Sequence, residues 1–152
     1  VLWGSDPLCS LAAVLWVAWV PQAWPHVHCS AICHSLKGLL PDQLVLLLEH
    51  LLEQKTLNPR TLQRLERTYH LPQQDAEVRH RWCELIVKHK YTKAYKNVER
   101  FLQEDQAMGI YLYGELMLSE DSRQQRLARR CFELTKGQMD ACSAQVVAEM
   151  LF

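Results

Sequence analysis

The sequence predicts an all-α fold: layered antiparallel helices forming an α-superhelix of the armadillo or HEAT kind. Three observations predict it. From residue 36 onward, apolar side chains recur three and four positions apart, the period of a helix buried on one face. Helix-starting residues such as Pro41, Asn58–Pro59, Asp75 and Ser119 separate these runs. Glycine is scarce, at 5 in 152 residues, and no stretch alternates with period two for long enough to make a strand. Helix pairs of this length with short connections stack into an α-solenoid, although no strict internal repeat is legible.

The elements follow in order. Pro41 opens "PDQLVLLLEHLLEQ", with Leu44, Val45, Leu48, Leu51 and Leu52 on one side. Asn58 and Pro59 form a cap and first-turn pair that starts "NPRTLQRLERTYH", lined by Leu62, Leu65 and Tyr69. "LPQQ" at 71–74 breaks the chain, and Asp75 caps a third helix that sets Val78, Trp82, Leu85, Ile86 and His89 on one face. A fourth carries Ala94, Tyr95, Val98, Phe101 and Leu102. A fifth, from about Met108 to Leu118, is apolar on most sides and is expected to be buried. Ser119 is expected to cap a sixth, with Leu127, Cys131, Leu134 and Thr135 inward and Gly137 at its end. "SAQVVAEMLF" closes the chain as a seventh.

Residues 1–35 are a different kind of sequence. They contain one charged side chain, Asp6, and four of the five tryptophans. Leu8 to Val20 is nearly all apolar, but thirteen residues fall short of the roughly 20 that span a bilayer. No positive charge precedes this run as it would in a signal peptide, so no membrane role is expected. The segment reads as a non-native or disordered leader, and the absence of an initiating Met suggests a fragment. Within it, "HVHCSAICH" offers His26, His28, Cys29, Cys33 and His34, the side chains that zinc prefers. A closed zinc site uses two ligand pairs held apart by a hairpin or helix turn. Here all five lie in one short run with no second cluster downstream, so no metal site is expected.

Charge and cysteine usage exclude more. With 17 basic and 17 acidic side chains the chain has no net charge, which argues against a nucleic-acid partner. Six cysteines at unpaired spacings point to a reducing, cytoplasmic setting rather than a disulfide scaffold. No H-E-x-x-H, G-x-S-x-G or glycine-rich phosphate loop occurs. Cys83, inside "RWCELIVKH", reads as a small core residue, and His80 and Glu84 as a helix surface pair. "QEDQ" at 103–106 reads as a solvated helix end. No catalytic residue is assigned.

"EVRHRWCELIVKHKYTKAYKNVERFLQEDQAMGIY" resembles the C-terminal helical domain of the leukotriene hydrolase and aminopeptidase B family of zinc aminopeptidases. Glu77-x-Arg79-x-Arg81-Trp82 is its most specific element. "LKGLLPDQL" (36–44) and "LNPRTLQRLERTYHL" fit the start of that domain and its next helix, so the likeness runs from about Leu36 to Phe152. Within the family the wording looks nearest the arginyl-aminopeptidase-like branch.

Composition sets off the leader (1–35), and the resemblance implies that 36–152 is a helical aminopeptidase C-terminal domain. It implies an accessory domain that packs against a catalytic zinc domain, walls the peptide substrate's cleft and carries none of the zinc chemistry. Family members that bind a substrate carboxylate carry a basic-x-basic turn after "E-Q-G", and the gapless match places it at Ala107-Met108-Gly109. Both basic positions are gone, so the resemblance implies a cleft wall of Ala107, Met108, Gly109 and Tyr111 without a carboxylate anchor. Zinc would belong to the parent enzyme's other domain. The rival expectations are a free-standing α-solenoid scaffold that binds proteins on its concave face, and a small zinc-binding protein using residues 26–34.

Overall fold

The computed structural model describes residues 39–152. The leader lies outside the described residues, and with it the candidate zinc run His26, His28, Cys29, Cys33 and His34. The described part is all-α, with seven α-helices and no strand: α1 (Pro41–Leu52), α2 (Pro59–Tyr69), α3 (Ala76–Lys88), α4 (Tyr95–Glu104), α5 (Gln106–Leu118), α6 (Ser122–Thr135) and α7 (Ala141–Leu151). Short 3₁₀ turns at Leu71–Gln73 and Thr92–Ala94 bridge α2 to α3 and α3 to α4.

The ends are set by side chains near in sequence. Asn58 Oδ1 accepts from Arg60 N at 2.9 Å, and Asp75 Oδ1 accepts from Val78 N at 3.0 Å, as the sequence predicts. Asp140 starts α7 in the same way through Ser143 N. The start of α6 differs from expectation. Asp121, not Ser119, is the cap, accepting from Arg123 N at 2.9 Å, while the Ser119 hydroxyl accepts from Asp121 N. A carboxylate is the stronger acceptor at the positive end of a helix, so the later residue wins. Gly137 lies in the turn after α6 without a left-handed conformation. That conformation falls instead to His70 (φ 49°) and Lys90 (φ 51°), which follow α2 and α3.

The helices form two layers. In one, α1 packs on α3, α3 on α5 and α5 on α7; in the other, α4 packs on α6. Asn97 of α4 donates to Glu66 of α2 at 2.9 Å, which ties α2 to the second layer. Apart from α2, each helix therefore neighbours the next but one, the arrangement of stacked helix pairs. The core runs between the layers. Val78, Trp82, Leu85 and Ile86 of α3 are fully buried at its centre, with the edge of Tyr91 against Trp82. Further along, Tyr113 of α5 meets Phe132 edge-on, and its hydroxyl lies 3.3 Å from Thr135 Oγ1.

Two burial expectations fail. Leu134 is 57% exposed, because the buried stripe of α6 runs through Gln124, Leu127, Ala128, Cys131, Phe132 and Thr135 and leaves Leu134 at its margin. The second is α5, whose composition hides its asymmetry. Gly109, Leu112, Tyr113 and Leu116 are buried, whereas Tyr111 is 77% and Leu118 83% exposed. Neighbours cover α5 from α3, α4, α6 and α7, and one strip is left open that is apolar apart from the exposed Glu115.

Candidate functional site

The residues implied as a cleft wall gather at the first turn of α5. They do not form an irregular turn: Ala107, Met108 and Gly109 are already helical. Asp105 (φ −119°, ψ 57°) makes the corner between α4 and α5, with its N–H on the Phe101 carbonyl and its carbonyl on the Gly109 N–H. Ala107, Met108 and Tyr111 face outward. Gly109 is buried, and a Cβ there would stand 2.9 Å from Leu102 Cδ2 of α4. A Cβ at 109 would require the end of the Leu102 side chain to shift, since the α4 backbone itself lies 3.7 Å away.

Arg79 of α3 holds this corner. Its Nη1 donates to Glu104 Oε2 and its Nη2 to Asp105 Oδ2, each at 2.6 Å. The guanidinium also lies over the Phe101 ring, 5.6 Å from its centre. One side chain thus spans the last residue of α4 and the corner residue, a fork-shaped donor facing two carboxylates. "QEDQ" is therefore no free solvated end, and Arg79 is the residue that sequence reasoning missed there. The signal was present: Arg79 lies inside the most distinctive motif, but its partners are 25 and 26 positions away.

The rest of that motif is structural too. Arg81 joins α3 to α1 through Glu49 at 2.9 Å and holds Glu84 at 3.0 Å, and Trp82 fills the core. Glu84 is therefore bonded to Arg81 rather than to His80. The His80 ring packs on Phe101 at 5.7 Å, and burial holds its pKa below the usual range, against the opposing pull of Glu84. At the other end of α3, His89 Nδ1 accepts from Leu57 N at 3.3 Å, with its pKa also lowered by burial and by Lys88.

Burial also sets the chemistry of two cysteines among the described residues. The Cys83 thiol is pushed up to about 12 by burial and lies 3.8 Å from the Asn97 carbonyl oxygen, which suits an inert core residue, as expected. Cys131 is likewise raised, to about 11, by burial. Among the described residues no three His, Cys, Asp or Glu side chains gather as metal ligands, and no helix is long and apolar enough to cross a membrane.

The open strip of α5 continues onto α7. The face carrying Met108, Tyr111 and Leu118 passes Gly114, where a Cβ would lie 3.7 Å from Met150 Sδ of α7. Val146 and Met150 are each 39% exposed, and the terminal Phe152 83%. The exposed surface of these two adjoining helices is thus largely apolar, interrupted by Glu115 and bounded by the corner that Arg79 fixes.

The family model for "Leukotriene A4 hydrolase, C-terminal" matches residues 39–151. Aminopeptidase O of Homo sapiens is 87% identical over 114 residues, which is 75% of this chain and 14% of that protein. Aminopeptidase O of Rattus norvegicus is 78% identical over 118 residues, 78% of this chain and 14% of the rat protein. Aminopeptidase B of Mus musculus is 30% identical over 115 residues, 72% of this chain and 17% of that protein. The chain thus spans about one seventh of the length of the aminopeptidase O relatives. Their name differs from the arginyl-aminopeptidase-like branch that the wording suggested, within the same family expectation. No solved structure matches.

Proposed function

We propose, from the premise that this chain belongs to the leukotriene A4 hydrolase C-terminal family, that it acts as the accessory domain of a zinc aminopeptidase. In this reading it packs against a catalytic domain and walls the cleft in which peptides lose their N-terminal residues. The observation that carries it is the open apolar strip of α5 and α7. Tyr111, Leu118 and Phe152 expose most of their surface, an arrangement that costs solubility unless something covers it. The relatives are about seven times longer than the part that matches, so a covering domain is at hand.

Zinc would reside in that other domain, because the described residues here do not fit it. This chain's contribution would be shape. Ala107, Met108 and Tyr111 present a neutral wall, Gly109 lets α5 approach α4 closely, and Arg79 fixes the corner. No cation on this wall would meet a substrate carboxylate. Such a wall suits removal of N-terminal residues without reading the far end of the peptide.

The test is Ala107→Arg in a chain that contains both domains. Arginine at this exposed position should favour short peptides with a free C-terminus over their amides by about 5- to 30-fold in kcat/KM, equivalent to about 1–2 kcal/mol. Equal effects on both substrates would remove the first turn of α5 from the cleft. A second charge at Gly109 is the less clean test, because the buried Leu102 side chain would have to shift to admit it.

A further inference from the structure

Charge is unevenly placed on this neutral chain. Between Lys55 and Arg100 stand 11 Lys and Arg against 5 Asp and Glu, an excess of six. Four of those five carboxylates are occupied within the domain. Glu66 accepts from Asn97, Asp75 caps α3, Glu84 holds Arg81 and Glu99 holds Arg130. Arg79, Arg81 and Arg100 have carboxylate partners as well. Arg60, Arg67, Lys90, Lys93 and Lys96 are exposed, and none forms an ion pair among the described residues.

These five belong to adjoining elements. Arg60 and Arg67 are seven residues apart on the outer face of α2, two turns along one stripe. Lys90, Lys93 and Lys96 follow the connection from α3 into α4. The Asn97–Glu66 bond joins the two elements, and Glu66 and Arg67 both act electrostatically on the Tyr91 hydroxyl, which lies between Lys90 and Lys93 in the chain. Tyr91 N bonds Ile86 O at 2.9 Å and Lys90 N bonds Val87 O at 3.2 Å, closing α3 with Lys90 at φ 51°. Glycine is the usual residue in that left-handed position. His70 closes α2 in the same conformation, so the left-handed backbone marks the helix ends here.

We propose that this face docks an acidic polypeptide segment. The chemistry favours a peptide over a nucleic acid. Bases would require an exposed aromatic platform, whereas Tyr91 is 6% exposed and Tyr95 and Tyr69 are half-buried. The cations are also spread rather than convergent, which suits a row of carboxylates and not a single phosphate. Arg60 and Arg67 are about 10 Å apart along the helix axis, a span that an extended run of acidic residues covers in about three residues. The surface is on α2 and α4, not on the apolar strip of α5 and α7, and the proposal stands independently of the accessory-domain reading.

The test uses the full 152-residue chain and fluorescence anisotropy with a labelled glutamate-rich peptide, its glutamine counterpart and an oligouridylate. The expected result is binding of the glutamate peptide alone, weakened by salt. Lys93→Glu with Lys96→Glu should weaken it about tenfold or more, whereas Arg126→Glu with Arg129→Glu on α6 should change it less than about twofold. Lys93→Arg with Lys96→Arg should keep the binding, and unchanged helical circular dichroism shows that each variant is folded. No binding of the glutamate peptide, or equal losses in both charge-reversal pairs, overturns the proposal. So does oligouridylate binding at least as tightly through the same lysines, which would assign the face to RNA.

Discussion

Trp82→Ala measures how far the domain depends on one side chain. Trp82 is fully buried on α3, the helix that touches α1, α4 and α5. It packs among Val78, Leu85 and Ile86, with the Tyr91 ring 6.3 Å away. Truncating a buried tryptophan costs about 3–5 kcal/mol through lost burial and the cavity left behind. Domain stabilities are about 5–15 kcal/mol, so the loss is a large share of the whole. One feature offsets it. Trp82 Nε1 is buried without a hydrogen-bond partner, so the native ring already carries an unpaired donor. Trp82→Phe removes that donor and keeps most of the aromatic volume, and should cost only about 1–2 kcal/mol. At roughly 4 °C per kcal/mol for a domain of this size, the Ala variant should melt about 12–20 °C lower and the Phe variant about 4–8 °C lower. Far-ultraviolet circular dichroism is the suitable probe, since four other tryptophans in residues 1–35 confuse fluorescence. An Ala variant that melts within about 2 °C of wild type would refute the reasoning. Equal losses for Ala and Phe would refute the part that rests on the unpaired nitrogen.

Gln124 is fully buried, and its Nε2 holds the Val87 carbonyl at 2.8 Å, so Gln124→Ala should cost about 1–3 kcal/mol in urea denaturation. Lys90→Gly relieves a left-handed lysine and should raise stability by about 0.5–1 kcal/mol in the same assay, unlike Lys93→Gly inside a 3₁₀ turn. The folded pKa values of His80 and His89 lie below their ordinary 6.5, so the unfolded chain takes up protons first as pH falls. Their contribution is complete above pH 6.5 and is lost as pH drops through the lower folded values. His80→Gln with His89→Gln should therefore flatten the fall in melting temperature between pH 6.5 and about 5, and an unchanged slope would exclude them as its source. The chain alone, supplied with zinc, should hydrolyse aminoacyl fluorogenic substrates at background rate. Chelator-sensitive activity that copurifies with it would contradict the accessory reading.

Much of this molecule is decided within a few residues of chain. Asn58 and Asp75 cap their own helices because an Asn or Asp oxygen reaches an N–H two or three residues on, whatever the rest of the fold does. The helical period of α1 to α4 picks out Leu48, Leu62, Val78, Trp82 and Phe101 as core, and all five are buried. The motif around Trp82 likewise carries the family, since the chain's wording there is local.

Tertiary structure decided what depends on distant partners. Hydropathy makes α5 apolar nearly all round, but which strip stays open follows from where α3, α4, α6 and α7 come to lie. Leu134 obeys the right period and is still left outside, because the α6 seam turns toward Phe132 and Thr135. By the family resemblance Gly109 reads as a lost basic position, yet in the fold it packs against Leu102 of α4. Arg79 chooses Glu104 and Asp105 over nearer carboxylates, and Gln124 finds a carbonyl 37 residues away. Caps and amphipathic periods are short-range and written in the chain. Ion-pair partners, close helix contacts and the exposed side of a wholly apolar helix exist only once separate helices meet, and a linear pattern does not encode those meetings.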